Sequence, residues 1–254
     1  MTELEYNKLE GVRSSDIKAF INSPDKHAYE LKNPQEDKEA FKVGTAIHMA
    51  YYEPKRFETY YAVYDGKLTA SGSPAKQSKA DKEYYTLFNE THKGREVLTS
   101  VEIAEIKELV KGLPKLPENC TTEVTYTKEV EGVVLKCRVD AITDKGQDLK
   151  TCQSAKPSKF RYAIRDFGYM YQLAFYSIVS GIEGWEILAV EKTAPYINHT
   201  YLITKKDLEP YINGSDTIQG LLGEYGLIKQ YQSWKALGMP KQGYGEPTLI
   251  SELW

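Results

Sequence analysis

The amino-acid sequence predicts an α/β (α+β) fold in which a mixed central β-sheet is flanked by helices. Three features of the pattern carry that expectation. Helical spacing governs residues 14–52 and 100–110, alternation of apolar and polar residues takes over across 122–152, and a helical stretch at 158–182 then separates that meander from two more strands. At 254 residues the chain is long enough for one sizeable core and short for two, so residues 1–254 read as a single domain with an N-terminal helical elaboration.

The segment "VRSSDIKAFINSPDKHAYELKN" carries two helix starts, Ser14 or Ser15 before "DIKAFI" and then Ser23 with Pro24 in the first turn. In "EDKEAFKVGTAIHMAYYEP", Phe41, Ala46, Ile47 and Ala50 form a helical stripe that ends before Pro54, and His48 lies on this helix. The Gly-, Ser- and Lys-rich "YDGKLTASGSPAKQSKADKEYY" reads as a surface loop leading into a polar helix. Ser100 is expected to cap "SVEIAEIKELVKGL", with Ile103, Ile106, Leu109 and Val110 on one face. Then "TEVTYTKEV", "VVLKCRVDAIT" and "DLKTC" form a three-strand meander with turns at Glu131-Gly132 and Asp144-Lys145-Gly146. "SKFRYAIRDFGYMYQLAFYSIVSGI" reads as one helix burying Ala163, Phe167, Met170, Ala174 and Ile178. The strands "EILAVEK" and "NHTYLIT" and a closing helix over 205–237 complete the chain.

A hydrophobic content of 41% excludes global disorder. The net charge of -3 excludes a protein that binds nucleic acid through overall charge, so any such affinity has to come from local clusters. Two are present: five Lys/Arg against three acids over 76–95, and Lys156, Lys159, Arg161 and Arg165 with no acid among them. Three cysteines without a Cys-x-x-Cys pair exclude a disulfide framework or a zinc or iron–sulfur site. Twenty tyrosines suit a polar groove or a tyrosine-rich core. No basic-then-apolar leader and no bilayer-length apolar run occur, so no membrane partner is expected and the location is expected to be cytoplasmic. A chain beginning at Met1 reads as a free-standing protein.

The chemistry concentrates in "RVDAITDKGQDLKT". Aspartate is a poor strand former, yet Asp140 and Asp148 flank one tight turn. A hard cation such as Mg²⁺ is held by one or two carboxylates, with water and phosphate filling the remaining positions. Strand alternation puts Asp148 and Lys150 on one side and Leu149 on the other, which sets an ammonium beside such an ion. Taken alone, these residues fit a solvated, charged turn equally well.

In context they resemble the PD-(D/E)xK nucleases, with Val139-Asp140 in place of Pro-Asp and Asp148-Leu149-Lys150 as the second half. "YMYQLAFYS" supplies the Gln-x-x-x-Tyr arrangement of the RecB-like branch, and "GTAIHMAYYEP" its helical Gly and His. With the Ser-Pro opening, the ordered set over residues 11–205 is similar to the RecE-like, or exodeoxyribonuclease VIII-like, nucleases. The resemblance implies a restriction-endonuclease-like core and Mg²⁺, or Mn²⁺, as cofactor. It implies His48, Asp140, Asp148 and Leu149 as the metal set, and Lys150 as the catalytic lysine. Gln172 and Tyr176 would face the scissile phosphate or brace Lys150, and Glu123 would be an additional acid. Lys156, Lys159, Arg161 and Arg165 are the expected DNA-backbone contacts, because positive charge at a helix N-terminus opposes the dipole unless a phosphate is bound there.

The expected activity is therefore metal-dependent degradation of one strand of linear double-stranded DNA from an end, 5′ to 3′. The resemblance further implies a ring-shaped homo-oligomer, trimeric or tetrameric, and a single-strand annealing protein as partner in phage-type recombination in a bacterial host. A structure- or sequence-specific endonuclease uses the same site, and a DNA- or partner-binding module without catalysis is the third reading.

Overall fold

The computed structural model describes residues 3–34 and 39–242. Helices α1 (Glu3–Lys8), α2 (Ser14–Asn22), α3 (Pro24–Lys32), α4 (Glu39–Tyr52) and α5 (Pro54–Tyr60) come first. Strand β1 (Tyr61–Tyr64), helix α6 (Lys79–Thr91), strand β2 (Glu96–Thr99) and helix α7 (Ser100–Lys111) follow. The meander β3 (Thr121–Val130), β4 (Val133–Ile142) and β5 (Gly146–Cys152) leads to α8 (Pro157–Asp166) and α9 (Tyr169–Ser180). Strands β6 (Trp185–Glu191) and β7 (Asn198–Ile203), then α10 (Lys205–Asn213) and α11 (Leu227–Ala236), close the chain.

The main sheet has the order β3-β4-β5-β6-β7. Only β5 and β6 pair in parallel, with α8 and α9 forming the crossover, and the other neighbours are antiparallel. The expected mixed sheet flanked by helices is thus the fold. One core lies under α2, α9 and α11, where Phe20, Leu173, Phe175 and Tyr231 meet Leu135, Val139 and Trp185 of the sheet. The other lies under α4, α5 and α7, where Ile47, Phe57 and Ile106 meet Ala141, Leu149 and Leu188. Val139 packs in the first and Ala141, two residues on, in the second, so the β4 ribbon turns over at Asp140. Directly opposite, Glu123 takes a left-handed φ of 57° and the β3–β4 ladder skips it.

Several elements depart from expectation for local reasons. The helix over 158–182 is two helices, broken at Gly168 with φ 60°, so the phase of the stripe changes and Phe167 is 62% exposed. The closing helix is also two, because Gly214 leaves helical geometry at φ 89° and ψ 165° and a glycine-rich loop reaches to Leu227. Ser23 caps α3 as expected, its hydroxyl accepting from the Lys26 N–H. Ser14 is the first residue of α2, and the preceding Arg13 N–H donates to Asp16 instead. Thr99, not Ser100, caps α7, accepting from the Glu102 N–H while Glu102 accepts from the Thr99 N–H. The parallel pair β1–β2 had no sequence signal, since four residues are too few to show alternation. Ala46 and Ile47 are buried as expected, and the Phe41 side chain lies outside the described residues. Among the described residues no helix is long and apolar enough to cross a membrane.

Candidate active site

The β4–β5 turn brings the two aspartates together. Ala141 pairs with Gln147 and Ile142 with Gly146, which places Asp140 beside the start of β5. There its Oδ2 accepts from the Leu149 N–H at 2.9 Å, so the carboxylate is held to the neighbouring backbone. His48, from α4, reaches the same oxygen with Nδ1 at 3.5 Å. Burial drives the Asp140 carboxyl above the usual carboxylate range; the nearby His48 pulls it back, and the Asp148 charge pushes it up again.

Asp148 is 2% exposed, and such burial requires partners. Its Oδ1 accepts from Gln172 Nε2 at 2.7 Å, across to α9. Its Oδ2 lies 2.6 Å from Lys150 Nζ as an ion pair, but no donor is aligned on that oxygen as a hydrogen bond. Burial opposes charge on Lys150, yet the Asp148 and Asp140 carboxylates outweigh it and hold its pKa above the ordinary value. Lys150 is therefore an ammonium at neutral pH, fit to stabilise negative charge rather than to take up a proton.

Lys18, on α2, donates to Gln172 Oε1 at 2.9 Å. The Tyr169 ring lies 5.1 Å from Lys150 Nζ and 5.9 Å from Lys18 Nζ. A second charged chain runs along the same wall: Arg56 to Glu53 at 2.7 Å, Glu53 to Arg138 at 3.8 Å, and Arg138 to Glu123 at 2.6 Å. All of these except Asp148 line one cavity of about 650 Å³, to which Tyr6 and Phe167 also contribute.

The structure thus gathers His48, Glu123, Asp140, Leu149, Lys150 and Gln172 on one cavity. Leu149 is fully buried and its side chain carries no donor atom, so any ligand from this residue would be its main-chain carbonyl. Tyr176 does not line the cavity; it packs 5.7 Å from the Trp185 ring, and burial, then Asp148 and Asp140, raise its pKa well above the ordinary value. Lys156, Lys159, Arg161 and Arg165 are exposed on and before α8, outside the cavity. Because α8 ends at Asp166, Arg165 stands in its last turn, where a cation suits the dipole, and it pairs with Asp166 at 2.8 Å. The dipole argument therefore applies to Lys156 and Lys159 alone.

Lys18, Arg138 and Tyr169 were missed. Tyr169 was readable, since it stands three residues before Gln172 on the same helical face. Lys18 and Arg138 gain their partners only when α2 docks on α9 and β3 pairs with β4.

Among the described residues no three His, Cys, Asp or Glu side chains converge as a metal cluster. The donors nevertheless fit a hard divalent cation. The buried Asp148 and half-buried Asp140 carboxylates, a Leu149 carbonyl and an imidazole offer suitable atoms, and Asp148 Oδ2 lacks an aligned hydrogen-bond donor.

Residues 13–237 match the family described as PDDEXK-like domain of unknown function (DUF3799), and the chain belongs to that family. The crystal structure of a "putative exonuclease" from Eubacterium rectale shares the fold, with a TM-score of 0.56 and 16% identity over 100% of this chain and 97% of that one. A second solved structure, SSO0001, aligns over 84% of this chain and 83% of its own at 16% identity, but its TM-score of 0.33 is too low to bear on the fold. No curated protein matches the chain.

Proposed function

We propose that this PDDEXK-like protein is a divalent-metal-dependent deoxyribonuclease that degrades one strand of linear double-stranded DNA from its end. One observation carries the reading: Asp140, Asp148 and Lys150 meet across the β4–β5 turn, a half-buried and a buried carboxylate with an ammonium 2.6 Å from the buried one. Structural charge alone gives no reason to bury such a group at a cavity, whereas phosphodiester hydrolysis needs both its acids and its cation.

In this reading Asp140 and Asp148 hold the metal, with His48 and the Leu149 carbonyl beside them. When bound, Mg²⁺ or Mn²⁺ supplies Lewis-acid charge at a phosphoryl oxygen and eases deprotonation of water. Lys150 contributes the charge that stabilises the pentacoordinate phosphate and the departing oxygen. Gln172 fixes the Asp148 carboxylate, and Tyr169 and Phe167 offer apolar faces against which a terminal base can stack.

The finer assignment rests on the motif resemblance to RecE-like nucleases: 5′ to 3′ polarity, a 3′ tail handed to a single-strand annealing protein, and a trimeric or tetrameric ring. The test follows 5′-labelled linear duplex and covalently closed circular duplex side by side, with Mg²⁺ and with EDTA. Metal-dependent loss of the linear DNA alone, with early release of labelled mononucleotide, is expected. Cutting of the circle would replace this reading with an endonuclease, and no cleavage of either with any divalent metal would overturn it.

A further inference from the structure

We propose that Lys18 is a positioning residue of the catalytic centre, acting through the Gln172 amide on Asp148. The proposal rests on the nuclease reading above for its kinetic consequences. The side-chain amide of glutamine has one accepting oxygen and one donating nitrogen, and its two orientations differ little in shape. Asp148 is an acceptor and needs the nitrogen; Lys18 is a donor and needs the oxygen. With Nε2 at 2.7 Å from Asp148 Oδ1 and Oε1 at 2.9 Å from Lys18 Nζ, one orientation alone satisfies both ends. The flipped amide would set its oxygen against the carboxylate and its NH₂ against the ammonium. Lys18 therefore selects the orientation in which Gln172 donates to Asp148.

Two further features show that the fold is shaped around this contact. Gln172 is 7% exposed, so solvent cannot substitute freely for a lost partner. The α8–α9 break at Gly168 leaves room for the lysine stem: a Cβ there would stand 3.3 Å from Lys18 Cδ, at a φ of 60° that disfavours any side chain. The relay spans three segments far apart in sequence, α2, α9 and β5. It couples the N-terminal helices to a carboxylate expected to hold the metal.

The test compares wild type, Lys18→Met, Lys18→Arg, Gln172→Ala and the Lys18→Met/Gln172→Ala double variant. Two quantities are read: kcat and KM on 5′-labelled linear duplex, and affinity for Mn²⁺ alone by calorimetry on the DNA-free protein. For Lys18→Met, kcat and Mn²⁺ affinity are expected to fall on the order of 10- to 100-fold, with KM near wild type, as for other groups that orient a metal ligand. Lys18→Arg should restore most of the loss. In the Gln172→Ala background Lys18→Met should change neither quantity further, because the relay is already cut. An equal loss in both backgrounds would overturn the proposal and assign Lys18 to direct DNA contact or to the fold. Unchanged Mn²⁺ affinity and kcat in Lys18→Met would overturn it too. Should Lys18→Met fail to fold, Lys18→Gln, which keeps a donor without the charge, takes its place in the same cycle. If wild type cleaves no DNA, the proposed function falls, and the Mn²⁺ measurements still decide the role of Lys18.

Discussion

Lys18 is a charge held at a cost, and its removal should leave the protein at least as stable while impairing the site. Burial first, then the neighbouring Lys150 ammonium, lower its pKa from 10.5 to about 8, with Asp148 pulling the other way. At about 1.4 kcal/mol per unit, keeping this ammonium protonated in the fold costs about 3 kcal/mol relative to the unfolded chain. Methionine retains the apolar stem but leaves the buried Gln172 Oε1 without its charged donor, a loss of about 1–3 kcal/mol. Lys18→Met should therefore be at least as stable as wild type at neutral pH, gaining up to about 2 kcal/mol of unfolding free energy. The pH dependence has a definite sign. Below about 8 both states carry the proton and wild type bears the full cost. Between about 8 and 10.5 the folded protein has released it and the unfolded chain still binds it, so wild-type stability rises with pH and the advantage of methionine fades. Urea denaturation of both proteins across this window measures the difference. A Lys18→Met protein less stable than wild type at neutral pH, or an advantage that does not change with pH, would refute the reasoning.

Other consequences follow from single contacts. Gly146→Ala would place a Cβ 2.4 Å from the ring carbons of buried Trp185, so a loss of about 1–3 kcal/mol and a lower Tm are expected; an unchanged Tm would show that the ring yields freely. His27, buried on α3 with Nε2 3.3 Å from the Tyr231 hydroxyl, has a pKa lowered chiefly by burial. Its folded pKa lies below its unfolded value, so stability is retained above about 6.5 and lost as pH falls below it. His27→Gln should flatten that acid limb in thermal melts, and an unaltered limb would assign the loss to other groups.

The parts of this protein that were legible in its sequence are those whose signals are local. Alternation fixed the meander, the Ser23-Pro24 pair marked the start of α3, and Asp140, Asp148 and Lys150 stood out because strands rarely carry such residues. The turn at Glu131-Gly132 was visible too, and both residues take left-handed φ, at 52° and 77°. The breaks at Gly168 and Gly214 were hidden because apolar spacing on either side of a glycine continues to look helical, while the phase change needs a partner surface to reveal it. Lys18 was hidden for the complementary reason. It sits beside buried Ile17 on an amphipathic helix, where a lysine ordinarily faces water, and only the docking of α2 against α9 turns it toward Gln172. Arg138 likewise acquires its meaning from Glu123 and Glu53, which lie on other elements.

The central claim is that Asp140, Asp148 and Lys150 form a metal-dependent phosphodiesterase centre. Single-turnover cleavage of labelled linear duplex by wild type and by Lys150→Ala, each with saturating Mg²⁺, tests it most directly. Cleavage by wild type and a loss of about 100-fold or more in the folded variant are predicted. Equal rates for the two proteins would contradict the account.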